Sequence, residues 1–207
     1  MFSHLPLDER WNVYTHAFGA IVGFFGMIYL VQAVQPSAPL AWFGLFAYGF
    51  SLVFLFSVSA IYHAVMPPYR SLWQKIDHIG IFILIAGTYT PVTLTVLKDS
   101  SGIYLFFAIW AIALFGAIYK LVLIGRFQNF SLFLYLAMGW LAIFDIDNIL
   151  HLFPQKAFYY LLLGGFFYSV GTVFYRWERL YFHHVIWHLF VLAGAASHFQ
   201  MVWVLYA

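Results

Sequence analysis

Three histidines and one aspartate have the types and spacing of a metal site. His184 and His188 are four residues apart in the last apolar segment, so on a helix both imidazoles lie about one turn apart on the same side. Ionisable groups inside a membrane are costly, usually face the interior of a bundle and mark function. His63 and Asp77 lie near the ends of two other apolar segments. Three imidazoles and a carboxylate can therefore converge if these segments are neighbouring helices.

The segments that carry these residues are long apolar runs. The chain has 207 residues, of which 65% are hydrophobic and only 8% charged, whereas soluble domains have about 25% charged residues. No Asp, Glu, Lys or Arg occurs in the 59 residues from Trp11 to Tyr69, and one membrane crossing needs about 20 apolar residues. Backbone groups in lipid must be paired internally, and the runs lack the alternation of strands. We therefore expect an all-α membrane protein rather than a β-barrel.

Charged residues, Pro, Gly and Ser collect at six places and divide the chain into seven predicted spans. The spans run approximately over residues 13–34, 40–63, 76–97, 103–121, 130–150, 157–175 and 181–205. Pro91 predicts a kink in the third span. Because the linkers are short, we expect one domain over residues 1–207, a seven-transmembrane helix bundle.

Basic residues predict the orientation of the bundle. Two of them, Lys98 and Lys156, fall on one side of the membrane. Seven fall on the other side: Arg10, Arg70, Lys75, Lys120, Arg126, Arg176 and Arg179. The positive-inside rule then places the N-terminus in the cytoplasm and the C-terminus outside, with the four candidate site residues near the cytoplasmic face. The net charge of +2 reflects this bias, so we expect no nucleic-acid partner.

The candidate residues match a zinc centre. His63, His184 and His188 supply the three protein ligands that catalytic zinc sites commonly use. Asp77 can be a further ligand, or it can hold and deprotonate a bound water. Ser59 lies one turn before His63 and can orient a ligand or the carboxylate. The absence of cysteine excludes thiolate ligands. The alternative is that these histidines are ordinary hydrogen-bonded core or interfacial residues.

Four other histidines are assigned structural roles. His78 and His183 adjoin the candidates but point about 100° away, which predicts interfacial positions. His16 lies at the cytoplasmic start of the first span and can line the same cavity, although a structural role is favoured. His198 lies about 15 Å further along the helix than His188 and is predicted to be in the core.

At these positions the chain resembles the hemolysin III family, the bacterial branch of the progestin and adipoQ receptor family that includes the adiponectin receptors. The resemblance rests on Ser59-x-x-x-His63, on Asp77 and on His184-x-x-x-His188, and it extends over nearly the whole chain. It implies a multi-pass protein of the bacterial inner (plasma) membrane with a lipid-facing cavity. It also implies zinc bound by the three histidines, Asp77 reaching zinc through a water and, in some relatives, ceramide-type amide hydrolysis.

Three functions remain open on this reasoning. The favoured one is a zinc-dependent, ceramidase-like hydrolase of membrane-lipid or fatty-acyl amides or esters, in which Asp77 transfers the proton and Ser59 or Tyr62 lies near the oxyanion. The second is a non-catalytic sensor or regulator of membrane lipid state, with zinc as a structural tie between helices. The third is a pore, transporter or cytolysin. The polar residues disfavour it, because they collect near one end, with Asp145 and Asp147 at the other.

Overall fold

The computed structural model describes residues 2, 4–34, 38–123 and 128–206, and this part of the chain is helical. The helices are α1 (Leu7–Val34), α2 (Pro39–Ala64), α3 (Arg70–Pro91), α4 (Gly102–Leu123), α5 (Gln128–Gly139), α6 (Ile146–Leu152), α7 (Gln155–Arg176) and α8 (His183–Tyr206). Within the described ranges seven segments are long and apolar enough to cross a membrane, with α5 and α6 together forming the fifth. The predicted seven-helix membrane bundle is therefore confirmed.

The helices pack in chain order and form a ring. Each of α1 to α4 packs against the next helix, α5 packs against α7, and α7 packs against α8. The ring closes because α8 also packs against α1. The first and last helices are therefore neighbours, and α1 lies between α2 and α8. This arrangement brings the histidine of α2 towards those of α8.

Two helices begin earlier than predicted. α1 begins at Leu7 rather than near Val13, which places Asp8 and Glu9 in its first turn. α3 begins at Arg70 rather than near Ile76, so Asp77 lies two turns inside the helix instead of at its start. Charged residues ended the predicted spans, but in a bundle they can continue a helix when they face a polar site or the interface. The loop residues 35–37 and Arg126 lie outside the described residues.

The helix type changes after Pro91, where the sequence predicts a kink. α3 ends at Pro91 and continues as a π-helical turn over Val92–Val96. The Pro91 carbonyl, at the end of the regular helix, accepts hydrogen bonds from the hydroxyls of Thr95 (2.6 Å) and Tyr206 (3.0 Å). These hydroxyls are the partners of a carbonyl at the point where the regular helix ends.

The fifth span is broken, and the prediction of one continuous helix was wrong. α5 ends at Gly139, a 3-10 turn covers Leu141–Asp145, and α6 follows. The Tyr89 hydroxyl donates to the Gly139 carbonyl (2.9 Å) and accepts from the Ala142 N–H (3.0 Å). A side chain of α3 therefore satisfies the backbone groups that the break exposes, which makes a break possible within the bilayer.

The close contact of α2 with α3 generates a stability prediction. A Cβ atom on Gly44 would lie 2.7 Å from the Cα atom of Pro91, whereas one on Gly23 would meet its nearest neighbour at 3.7 Å. Gly44→Ala should therefore lower the free energy of unfolding by about 1–3 kcal/mol. Gly23→Ala is the control and should be neutral or slightly stabilising, because Ala favours a helix over Gly by about 0.5–1 kcal/mol. Thermal unfolding in detergent measures both, and equal unfolding temperatures would contradict the packing argument.

Candidate metal centre

The structure brings the three predicted histidines together. His63 lies in the last turn of α2, and His184 and His188 lie in the first two turns of α8. One ring nitrogen from each lies within 4.8 Å of the others, and within the described residues no other group of three potential ligands was found. Ring centroids are 5.0 Å apart for His63 with either partner and 4.8 Å apart for His184 and His188.

A carboxylate orients His63. Its Nδ1 atom lies 2.6 Å from Oε2 of Glu9, and the other oxygen of Glu9 accepts a hydrogen bond from Arg70. Because a carboxylate only accepts hydrogen bonds, the imidazole proton lies on Nδ1. The Nε2 atom is left with its lone pair, and it is buried without a hydrogen-bond partner in the part of the chain that the structure describes. This is the carboxylate–histidine arrangement that orients metal ligands.

His188 is oriented in the same way by a hydroxyl. Its Nδ1 atom lies 3.2 Å from Oγ1 of Thr15, and that hydroxyl lies 2.8 Å from the carbonyl of Trp11. A threonine hydroxyl has one proton. Since the Trp11 carbonyl takes that proton, Thr15 accepts from Nδ1–H of His188. The Nε2 lone pair of His188 is again available to a metal.

The three imidazoles fit a metal ion. The orphaned Nε2 atom of His63 needs a partner, because a buried polar atom without one is costly. Neutral imidazoles bind Zn, Cu, Fe and Ni, and this cluster contains no thiolate. Two ligands of one zinc ion lie about 3.4 Å apart in a tetrahedral site with bonds near 2.1 Å, and the three ring nitrogens lie within 4.8 Å of one another. His63, His184 and His188 can therefore hold a metal ion.

Asp77 and Ser59 lie beside the histidines, as predicted. Both are buried, with 7% and 1% of their surfaces exposed. The Asp77 carboxylate interacts with the Ser59 hydroxyl and electrostatically with His63. Tyr62 lies on the polar side of the site, because its hydroxyl accepts a hydrogen bond from Gln74 (3.3 Å) and it lines a polar pocket with His184 rather than the central cavity.

Two histidines that were assigned structural positions lie closer to the site than expected. His16 stacks on His188 with centroids 3.5 Å apart and an interplanar angle of 7°. Both ring nitrogens of His16 are buried and lack a partner among the residues the structure describes. His78 is not interfacial, because it lines the central cavity. By contrast, His198 is a packing residue of α8, since its Nε2 atom lies 3.3 Å from the Leu161 carbonyl.

A mainly apolar cavity runs through the bundle from this site. It has a volume of about 140 Å³, and Ser59, Asp77, His184 and His188 line its inner end. Towards the outer face its walls are apolar and include Leu97, Leu105, Phe153 and Met201. From His188 to Met201 the α8 wall rises about 20 Å, which is more than half of the hydrocarbon thickness of about 30 Å. Such walls favour an apolar chain as the occupant.

A second, polar pocket meets the site from the cytoplasmic-side loops. It has a volume of about 350 Å³ and is lined by Tyr62, Gln74, His78, Tyr175, Glu178, His183 and His184. His78 and His184 line both this pocket and the apolar cavity. The histidine cluster therefore lies where an apolar space and a polar space meet.

Glu9, Arg70 and Thr15 support the cluster but were missed in the sequence. Glu9, Asn12 and His16 are spaced by three and four residues, which places three polar groups on one face of an otherwise apolar helix. Asn12 and His16 are buried on this face of α1. That periodicity is the sequence signal that indicates a polar face on α1. It was overlooked because the first span was started at Val13, beyond Glu9 and Asn12.

A seven-helix membrane bundle with three converging histidines beside a buried carboxylate defines the class of this protein, and comparison with known sequences identifies the family. The model of the family described as "Haemolysin-III related" matches residues 6–199. The chain therefore belongs to the haemolysin-III related family, as the resemblance predicted.

Relatives match over most of their length. The chain is 36% identical over 198 residues to Hemolysin-3 homolog of Bacillus subtilis (strain 168), covering 94% of this chain and 92% of the relative. It is 39% identical over 197 residues to Hemolysin-3 of Bacillus cereus, covering 94% and 90%. It is 30% identical over 209 residues to Monocyte to macrophage differentiation factor of Homo sapiens, covering 95% and 83%.

Glu9 generates a prediction about metal affinity. Glu9→Gln keeps the shape of the side chain but removes the charge that orients His63, so the dissociation constant for Zn²⁺ should rise about 10- to 100-fold. Asp8→Asn is the matched control, since it removes the same charge one residue away and should leave the affinity unchanged. Competition with a chelator measures both constants. An unchanged affinity in Glu9→Gln would show that the carboxylate does not support the ligand.

Proposed function

We propose that the protein is a zinc-dependent hydrolase that cleaves a carboxylic amide or ester bond in a membrane lipid. The observation that carries this proposal is the position of the buried carboxylate and the three histidines between an apolar cavity and a polar pocket. Hydrolysis of a lipid requires an acyl chain and water to meet at one point. This site is reached by an apolar space on one side and a polar one on the other.

His63, His184 and His188 would hold the zinc ion. Zinc with three protein ligands polarises a carbonyl and lowers the pKa of a coordinated water to about 7, which is the chemistry it would supply. Asp77 is the proton acceptor and donor of the proposed reaction, because it is the only carboxylate among the described residues that line the cavity. Ser59 interacts with Asp77, so its proposed role is to position the carboxylate.

The apolar cavity supports a fatty-acyl substrate. Its outer walls offer no polar partner at Leu97, Leu105, Phe153 or Met201, and burying a polar solute there without hydrogen bonds would be costly. A hydrocarbon segment fills such a space favourably, and a volume of about 140 Å³ holds part of an acyl chain. With the chain in the cavity, the bond next to its carbonyl lies beside Asp77 at the inner end.

A structural role for the metal is the second candidate. The ligands come from α2 and α8, and both of these helices pack against α1. An ion shared by His63 and the α8 histidines would tie the two helices across α1 and close the ring. In that case the protein is a non-catalytic sensor or regulator of the membrane lipid state. The two candidates predict different effects of removing Asp77: a hydrolase would lose turnover, whereas a protein with a structural metal has no turnover to lose.

The metal assignment predicts the metal content of two variants. His188→Ala removes a ligand, so purified protein should lose its bound zinc or bind it at least 100-fold more weakly. His198→Ala is the control, because it removes an imidazole from the same helix that hydrogen-bonds to Leu161 instead. Elemental analysis after purification without chelators measures zinc per chain. Equal zinc content in the two variants would place the metal elsewhere.

The catalytic assignment predicts a loss of turnover without a loss of metal. Asp77→Asn should bind zinc normally and release fatty acid about 10²- to 10⁴-fold more slowly, since a positioned acid or base contributes that factor. Asp147→Asn, at the exposed outer end, is the control and should retain activity. Mass spectrometry of fatty acids released from a panel of ceramides and acyl esters measures turnover.

The same assay separates the two candidates. Full turnover in Asp77→Asn would contradict the proposed role of the carboxylate. A wild-type protein that cleaves nothing in the panel, but unfolds at lower temperature after its metal is removed, would support the structural role instead.

A further inference from the structure

A lysine is buried in the cavity without a counter-charge. Lys120 lies in the last turn of α4, has 3% of its surface exposed and lines the apolar cavity. No salt bridge joins its ammonium to a carboxylate of the residues that the structure describes. A buried charge is stable only when it is paired, and an ionisable residue inside a membrane protein is a candidate functional site.

Two further polar groups lie at the same end of the cavity and also lack partners. Ser131 is in the first turn of α5 with 2% of its surface exposed, and His78 is in α3. The Ser131 hydroxyl and the Nδ1 atom of His78 are buried without a hydrogen-bond partner in the described ranges. His78 and Lys120 interact electrostatically. Both residues and Ser131 line the same cavity.

The carboxylate of the cavity does not neutralise Lys120. Asp77 interacts with Ser59 and His63, which lie on α2, whereas Lys120 and Ser131 belong to α4 and α5. The inner end of the cavity therefore has two polar regions, and His78 lies between them, since it interacts electrostatically with both His63 and Lys120. One contains the histidine cluster with Asp77, and the other contains only groups that donate, or can donate, hydrogen bonds to an anion.

We propose that Lys120, Ser131 and His78 form a binding subsite for the acidic headgroup of an amphiphile whose hydrocarbon tail lies in the cavity. An ammonium has three donors, and a hydroxyl and a ring N–H add one each. Charge-assisted hydrogen bonds to phosphate or carboxylate oxygens are the strong ones. This inference rests on the proposed function only in that both use the same apolar cavity. It narrows the class of substrate or product of the proposed hydrolase to lipids with an anionic oxygen group.

Binding of four probes to the zinc-loaded protein in non-ionic detergent tests the subsite. Hexadecyl phosphate and hexadecanoate carry the acidic group, hexadecanol carries the same tail without it, and inorganic phosphate carries the anion without a tail. None contains a carboxylic amide or ester bond, so the result is independent of hydrolysis. The wild-type protein should bind the two acidic amphiphiles at least 10-fold more tightly than hexadecanol, and inorganic phosphate far more weakly than either.

Lys120→Gln should lose this preference and keep its zinc content and its affinity for hexadecanol. Lys75→Gln is the matched control, because it removes a charge at similar depth from a lysine that instead donates to the Leu121 carbonyl (3.1 Å). Ser131→Ala removes only a hydroxyl and should weaken hexadecyl phosphate binding about 5-fold. If Lys120→Gln fails to fold, the binding of hexadecyl phosphate to Ser131→Ala is the test of the subsite.

Three results would overturn the subsite. They are an undiminished preference in Lys120→Gln, unchanged binding in Ser131→Ala when it is the deciding variant, and inorganic phosphate binding as tightly as hexadecyl phosphate. The last would indicate a free-anion site. Acidic-amphiphile binding that depends on Lys120, in a protein that cleaves no lipid, would support the subsite while the hydrolase proposal failed.

Discussion

A buried imidazole needs a partner for each of its two ring nitrogens, and this requirement organises the inner end of the bundle. A buried ring nitrogen that is left without a partner is costly. One nitrogen of His63 is taken by Glu9 and one nitrogen of His188 by Thr15. Both partners come from α1, which packs between α2 and α8. The first helix therefore orients the ligands that the second and last helices carry, and the remaining nitrogens converge where a metal can satisfy them.

The same ring of helices creates the space in front of the site. Closure of α8 onto α1 encloses a cavity whose inner end is polar and whose outer walls are apolar. The break between α5 and α6 also belongs to this design, since Gly139 and Ala142 line the cavity at the point where Tyr89 replaces the missing backbone partners. The site is thus exposed to hydrocarbon from one direction and to a polar pocket from the other, which is the environment that lipid hydrolysis needs.

The two polar regions of the cavity give the proposed substrate a direction. The metal ligands and Asp77 occupy the side formed by α2, α3 and α8, while Lys120 and Ser131 occupy the side formed by α4 and α5. An amphiphile with its tail in the cavity and an anionic group near Lys120 would present its inner end to Asp77. Two fixed contacts on one ligand restrict its orientation, and orientation is a large part of what an enzyme contributes to rate. A sensor of lipid state would gain specificity from the same two contacts.

The sequence determined the seven spans and the helical class, because these depend on the length of the apolar runs and on the low content of charged residues. It also indicated the three metal-ligand candidates, because histidines are costly in lipid and His184 and His188 are spaced by one helical turn. Local pattern also located Asp77, Ser59 and the change of helix at Pro91. The tertiary structure alone decided that Glu9 supports His63, that His78 and Lys120 face the cavity, and that the fifth span is broken. Each depends on a partner distant in the chain, such as Tyr89 for the break and α1 for the histidines. The spacing of Glu9, Asn12 and His16 indicates a polar face on α1, but it does not encode which histidine that face contacts.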